Sequence, residues 1–223
     1  MLVVAVTRFS DEDRERIRAD LIKAGHDCFA RFGFDRTRVS DVTDEVGIGT
    51  STFYQFFDSK EALYLAVLLT EREHLFETLE AAVADAETPR EEAEVTLRTT
   101  FGEVRSNPLI QRLFVDGEIR RIESQLDGTA ADEDLIDDYS ESPAVYGQVL
   151  PQPDKWVESE VVRIDDPDII RGLFRSVLFV TQARETPVVP DGTYEAIEEA
   201  LIQTIVAGLF TYEENTDRSA THD

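Results

Sequence analysis

The stretch Thr37–Lys60, TRVSDVTDEVGIGTSTFYQFFDSK, constrains this chain more than any other. Val39, Val42 and Val46 recur at three- and four-residue spacing, which predicts a short helix with one apolar face. Gly47-Ile48-Gly49 interrupts that pattern, and a second short helix carries Thr50, Ser51, Thr52, Tyr54 and Gln55. Glycines accept turn geometry closed to other residues, and Ile48 can plug the corner between the two helices. Thr37 is the local candidate for the N-cap, with Ser40 near enough to frame the first turn. Two short helices across a three- or four-residue turn form a helix-turn-helix, whose second member fits the major groove of DNA.

The longer run GFDRTRVSDVTDEVGIGTSTFYQFFDSKEAL, Gly33 to Leu63, resembles the DNA-binding signature of the TetR family of transcriptional regulators. The features that carry the resemblance stand at fixed offsets. They are the Gly33-Phe34 pair, Thr37 and Val39, the Gly47-Ile48 corner, Thr52-Phe53-Tyr54, Phe56-Phe57 and Ser59-Lys60-Glu61. The resemblance implies an all-α subunit: a three-helix helix-turn-helix DNA-binding domain over 1–60, then a larger helical effector-binding and dimerisation domain over 61–223. It also implies a homodimer, a palindromic double-stranded operator, and repression relieved by an apolar small molecule.

Charge sets limits on the partner. The chain has 22 basic and 47 acidic residues, a formal net charge of -25. Residues 1–60 hold 9 basic and 11 acidic groups, so the candidate DNA reader is nearly neutral and the rest of the chain carries -23. A reader of this kind binds a polyanion only through well-placed cations or where salt screens the remaining field. Only Lys23, Lys60 and Lys155 are lysines. Acid enrichment with regular apolar patterning resembles the proteome bias of organisms that keep molar salt in the cytoplasm, such as a halophilic archaeon; an ordinary acidic cytosolic protein is the other reading. Cys28 is the single cysteine, so no intrachain disulfide can form. The apolar run Met1–Val6 is too short for a signal peptide, and no segment approaches 18 uninterrupted apolar residues, which points to the cytoplasm.

Along the chain, helical spacing accounts for most segments. Ile17, Leu21, Ala24, Cys28 and Phe32 form the inner face of a first helix from about Asp11, with Ser10 and Asp13 as a weakened capping box. Its arginines Arg14, Arg16 and Arg18 either touch the DNA backbone or pair with neighbouring acids. A long helix follows Ser59, with Leu63, Val67, Leu75, Leu79 and Val83 inward as far as the break before Pro89. Further helices are expected over about 90–105, from Pro108 to about Leu126, from Asp154 through Val162, from Pro167 to about Arg184, and after Pro190. The acidic, proline-bearing stretch 127–153 reads as a surface loop or pocket cover.

The expected DNA-binding residues are Thr37, Arg38, Thr50, Ser51, Thr52, Tyr54, Gln55 and Lys60. The hydroxyls of Thr50, Ser51 and Thr52 suit phosphate and short-range base contacts. The resemblance assigns Tyr54 and Gln55 to phosphate or base edges and Lys60 to a phosphate. It also shows a departure, because lysine is frequent in the family where this chain has Thr50. Phe53 and Phe57 read as core. In the larger domain, Phe101, Phe114, Tyr139, Tyr146 and Trp156 are the expected lining of an effector pocket. Ile170, Leu173, Phe174, Val177, Leu201, Ile205 and Leu209 lie on faces wide enough for a four-helix dimer interface.

No catalytic site, metal site or cofactor is expected. His26, His74 and His222 stand far apart in sequence, and there is no HExxH, GxSxG, phosphate loop or cysteine pair. Two other readings remain open: a helical DNA-binding dimer without a small-molecule effector, and a structural dimer that binds no DNA.

Overall fold

The computed structural model describes residues 9–112, 153–183, 189–190 and 192–211. Within them the chain is all-α: N-terminal helices in a helix-turn-helix arrangement are followed by a larger helical bundle. The elements are α1 (Asp11–Phe32), α2 (Val39–Val46), α3 (Thr50–Phe53), α4 (Lys60–Val83), α5 (Pro89–Ser106) and α6 (Pro108–Gln111), then α7 (Pro153–Glu158), α8 (Pro167–Leu178), α9 (Val180–Ala183) and α10 (Tyr194–Leu209). The described residues fall into two compact units. The first comprises 9–75 and 103–112, and the second 76–102 with 153–211. The division falls within α4 and again within α5, so both helices run through the two units.

In the first unit α1 packs on α2 and on the short α6, and α2 packs on α3. The expected cap holds: the Ser10 hydroxyl oxygen accepts the Asp13 amide at 3.1 Å, while its O–H donates to the Asp13 carboxylate. That hydrogen bond, more than nearby Arg16, keeps the Asp13 carboxyl below its ordinary range. Ile17, Leu21, Ala24 and Cys28 are buried as their spacing predicts, together with Phe29. Phe32 departs from the pattern and is 38% exposed, with the Arg31 guanidinium over its ring. Phe29 fills the inner position instead, its ring 4.7 Å from that of Tyr64. From Ala62 to Leu68 every residue of α4 is buried, so this stretch is the axis of the unit.

The second unit is built on Ala93, Leu97 and Phe101 of α5, Trp156 of α7, Ile170 and Phe174 of α8, and Ile202, Val206 and Leu209 of α10. Trp156 packs 5.3 Å from Phe210 and 6.2 Å from Phe174, and its Nε1–H donates to Glu92 at 3.1 Å. A buried indole keeps a polar partner, so the ring can enter an apolar core without stranding its N–H.

Two expected boundaries move. The helix at Trp156 ends at Glu158, not Val162, because Glu160 turns into a positive φ of 55° and the chain continues extended. Val162 then forms an antiparallel bridge with Phe210, framed by Arg163 N–H to Leu209 C=O at 2.8 Å and Thr211 N–H to Val161 C=O at 2.9 Å. The helix from Pro167 breaks at Phe179, where α8 gives way to α9. Of the helix expected from Pro108 to Leu126, α6 covers Pro108–Gln111, and the part beyond Arg112 lies outside the described residues. On the surface of this unit Arg98 of α5 pairs with Glu94 and with Glu199 of α10, and Gln203 donates to both acids. Contact with Arg98 holds the Glu199 carboxyl below its usual range. Among the described residues, no helix is long and apolar enough to cross a membrane.

Candidate nucleic-acid interface

The start of α2 is set by the backbone, not by a threonine cap. Arg38 occupies the N-cap in extended conformation, and its amide donates to the Asp41 carboxylate at 2.9 Å. Thr37, the expected cap and DNA contact, is buried. Its hydroxyl hydrogen faces two backbone acceptors, Gly33 C=O at 2.8 Å and Cys28 C=O at 3.2 Å. Its side chain therefore ties the α1–α2 loop to the end of α1 and has no surface to offer DNA. The corner that follows requires glycine: Gly47 sits at φ 74°, where a side chain would be strained, and its N–H returns to Thr43 C=O. Ile48 N–H donates to the same carbonyl at 3.0 Å, which closes the turn into α3.

The helix α3 is only four residues long. Phe53 anchors it with a fully buried ring, Phe57 is buried 5.9 Å away, and both are core as expected. The opposite side is polar and open. Thr50, Ser51 and Gln55 are exposed, Thr52 is half-buried, and Tyr54 is 54% exposed with its ring edge-on to Phe53. Arg38 is exposed at the start of α2. The structure therefore places Arg38, Thr50, Ser51, Tyr54 and Gln55 with side chains free to meet a ligand.

Lys60 has a second role that spacing did not disclose. Its ammonium donates to Phe34 C=O at 2.9 Å and to Thr37 C=O at 3.1 Å, and lies 4.1 Å from the Phe34 ring centroid. Two of its three protons are thus directed at the loop before α2, leaving one for a phosphate. Arg112 was also missed. Its guanidinium donates to Phe29 C=O at 2.9 Å and lies beside Gly33, where an added Cβ would stand 3.4 Å from its nearest nitrogen. Gly33 is at φ 81°, so the backbone calls for glycine there. A contact 83 residues away leaves no trace in local spacing.

Cys28 is 2% exposed, and burial, helped by Glu45, Asp41 and Asp27, pushes its thiol up to about 11. Thiolate is the reactive form, so this is an inert core thiol at neutral pH. Since the folded value lies above the ordinary one of 9.0, folding is favoured while the thiol is protonated in both states, and that contribution fades as pH rises through 9 to 11.

Of the expected effector residues, Phe101 and Trp156 are fully buried in the second unit, while Phe114, Tyr139 and Tyr146 lie outside the described residues. A shallow groove of about 450 Å³ lies in the first unit instead, between Ile22, Lys23 and His26 of α1 and Val67 and Glu71 of α4. His26 faces Glu71 at 3.2 Å and Asp27 at 3.0 Å, and Glu71 also accepts from Asn107. The expected dimer residues divide. Ile170, Phe174, Val177 and Leu209 are buried within their own unit, whereas Leu173, Leu201 and Ile205 keep part of their surface. Ile169 at 56% and Phe179 at 54% exposure are large apolar groups that spacing had not singled out. Among the described residues no group of three or more His, Cys, Asp or Glu could hold a metal ion.

Residues 21–67, from within α1 into α4, match the family of bacterial regulatory proteins, tetR family, so the helix-turn-helix is a TetR-family one. An uncharacterized HTH-type transcriptional regulator of Mycobacterium tuberculosis is 28% identical over 112 residues, covering 50% of this chain and 55% of the relative. The chain thus spans about half the length of that relative. The crystal structure of a TetR-family transcriptional regulator from Pectobacterium atrosepticum has a TM-score of 0.63 at 20% identity, over 92% of this chain and 99% of that one. A second, RolR in complex with resorcinol, has a TM-score of 0.53 at 20% identity, over 88% and 90%. At that identity the two structures speak for the fold.

Proposed function

We propose that this protein is a homodimeric transcriptional regulator, a repressor, that binds palindromic double-stranded DNA through α2 and α3. The observation that carries the reading is the open polar row Thr50, Ser51, Tyr54 and Gln55, the first two on the short α3 and the last two on the turn that follows it, with Phe53 between them locked into the core. A structural dimer has no use for such a row. Small hydroxyls, an amide and a phenol can meet phosphates and base edges, while the dimer axis would set the spacing of two half-sites. Functional division at residue 60, release by an apolar effector in the larger domain and a cytoplasmic location belong to the same proposal. The acid excess leads us to propose a high-salt cytoplasm, as in a halophilic archaeon; composition supports this, while the family and the relative above are bacterial. A constitutive binder without effector is the other form the function can take, favoured by the full burial of Phe101 and Trp156.

Recovery of bound fragments from sheared genomic DNA in high salt tests the reading. Palindromic fragments are expected, and alanine at Thr50, Tyr54 and Gln55 together should weaken binding by at least about 100-fold, from base and phosphate contacts worth roughly 1–3 kcal/mol each. Undiminished affinity of that variant would remove this surface from consideration.

The face we propose for the dimer is the stripe left uncovered by each protomer: Ile169, Leu173, Phe179, Leu201 and Ile205. Glutamate at both Leu173 and Leu201 should raise the dimer dissociation constant on the order of 100-fold or more, since each buries an unpaired charge. Sedimentation equilibrium would show it, and a wild-type monomer at high salt would overturn the arrangement.

A further inference from the structure

Arg14 stands in the first turn of α1, but its side chain reaches the far end of α3. One guanidinium nitrogen donates to Gln55 C=O at 3.2 Å, and the guanidinium carbon lies 5.1 Å from the Phe56 ring centroid. Phe56 in turn lies 6.1 Å from Phe9, while Arg18, one turn along α1, lies 5.2 Å from the Phe57 centroid. Two arginines thus grip the two aromatics that follow α3. A four-residue helix has no stability of its own, because the cost of nucleation is never recovered over so few hydrogen bonds. The turn after it is held by Gln55 N–H to Thr52 C=O at 3.0 Å and Phe56 N–H to Phe53 C=O at 2.9 Å. Gln55 C=O takes its donor from Arg14, and a cation suits the negative end of a helix.

We propose that Arg14 is a positioning residue for base recognition: by holding the backbone at Gln55 it fixes the directions of the Tyr54 and Gln55 side chains. The inference rests on the DNA-binding reading given above. It separates two jobs that an arginine near DNA can do. A phosphate-contacting arginine adds affinity for every sequence and adds to the salt dependence. A positioning arginine adds affinity only where the oriented side chains find their bases.

The experiment compares wild type, Arg14→Met and Arg14→Lys on two duplexes of equal length: a fragment recovered by the wild-type protein from genomic DNA, and a random sequence. Arg14→Met should reduce discrimination between them about 10-fold. It should leave affinity for the random duplex within about 2-fold and the slope of log affinity against log salt within about 0.3. Arg14→Lys, which can still donate one hydrogen bond to Gln55, should recover part of the discrimination. A slope smaller by about 0.9 with equal loss on both duplexes would make Arg14 a phosphate contact and overturn the proposal. Unchanged discrimination in both variants would overturn it as well. Circular dichroism checks that each variant is folded, and if Arg14→Met is not, the lysine variant decides: partial loss of discrimination at an unchanged slope supports the proposal, and full discrimination at an unchanged slope refutes it, since lysine keeps the charge that a phosphate contact needs. Wild-type protein that recovers no fragment would defeat the DNA-binding reading itself, a result distinct from either of these.

Discussion

Methionine in place of Lys60 should lower the stability of the protein by about 2 kcal/mol, besides weakening DNA binding, because two half-buried charge-assisted hydrogen bonds are lost together. The acceptors are the carbonyls of Phe34 and Thr37, and methionine keeps the apolar stem against the Phe34 ring while removing every donor. For a chain of this length that is a fall in Tm of about 4–8 °C. The α1–α2 loop should loosen as well, and with it the start of α2. If the third ammonium proton meets a phosphate, the salt slope of DNA binding should fall by about 0.9. A melting temperature unchanged from wild type would show that the ammonium does not hold the loop.

Alanine at Phe101 should cost about 3–5 kcal/mol, since a fully buried ring leaves a cavity that the surrounding helices fill only in part. Leucine there should cost less than about 1.5 kcal/mol, as volume is largely kept. Urea unfolding followed by Trp156 fluorescence reads both, because that indole is packed in the same unit. The size of the effect separates two roles. A ring that lines a site open to ligand loses little on truncation, so a cost under about 1 kcal/mol would support the effector wall and contradict the packed core.

How much was legible follows the range of the interactions. Helical spacing within one element read the buried face of α1 from Ile17 to Cys28, the inward row of α4 from Leu63 to Leu79 and the core roles of Phe53 and Phe57. Glycines read well where the backbone itself was unusual, as at Gly47. Illegible were features in which a side chain serves a distant backbone. Lys60 reads as a polar group beside a DNA reader, yet its ammonium donates to carbonyls 26 and 23 residues back, in the loop between α1 and α2. Arg112 reaching Phe29 belongs to the same class. The broad apolar faces of α8 and α10 read as one surface, when Phe174 is buried in the unit's own core and Leu173 keeps part of its surface. Periodicity reports that a face is apolar and is silent on which neighbour covers it.

The continuity of α4 has a consequence in distances. Its 24 residues span about 36 Å at 1.5 Å per residue. A tilt of about 5° at one end displaces the other by roughly 3 Å, comparable to the 3.4 Å step between bases along a strand. In a dimer two such rods would act at once, and their errors would add across the pair of half-sites. If the chain binds paired half-sites as proposed, a helix-turn-helix carried on a rod of this length can therefore lose register with them without any change inside the reader itself.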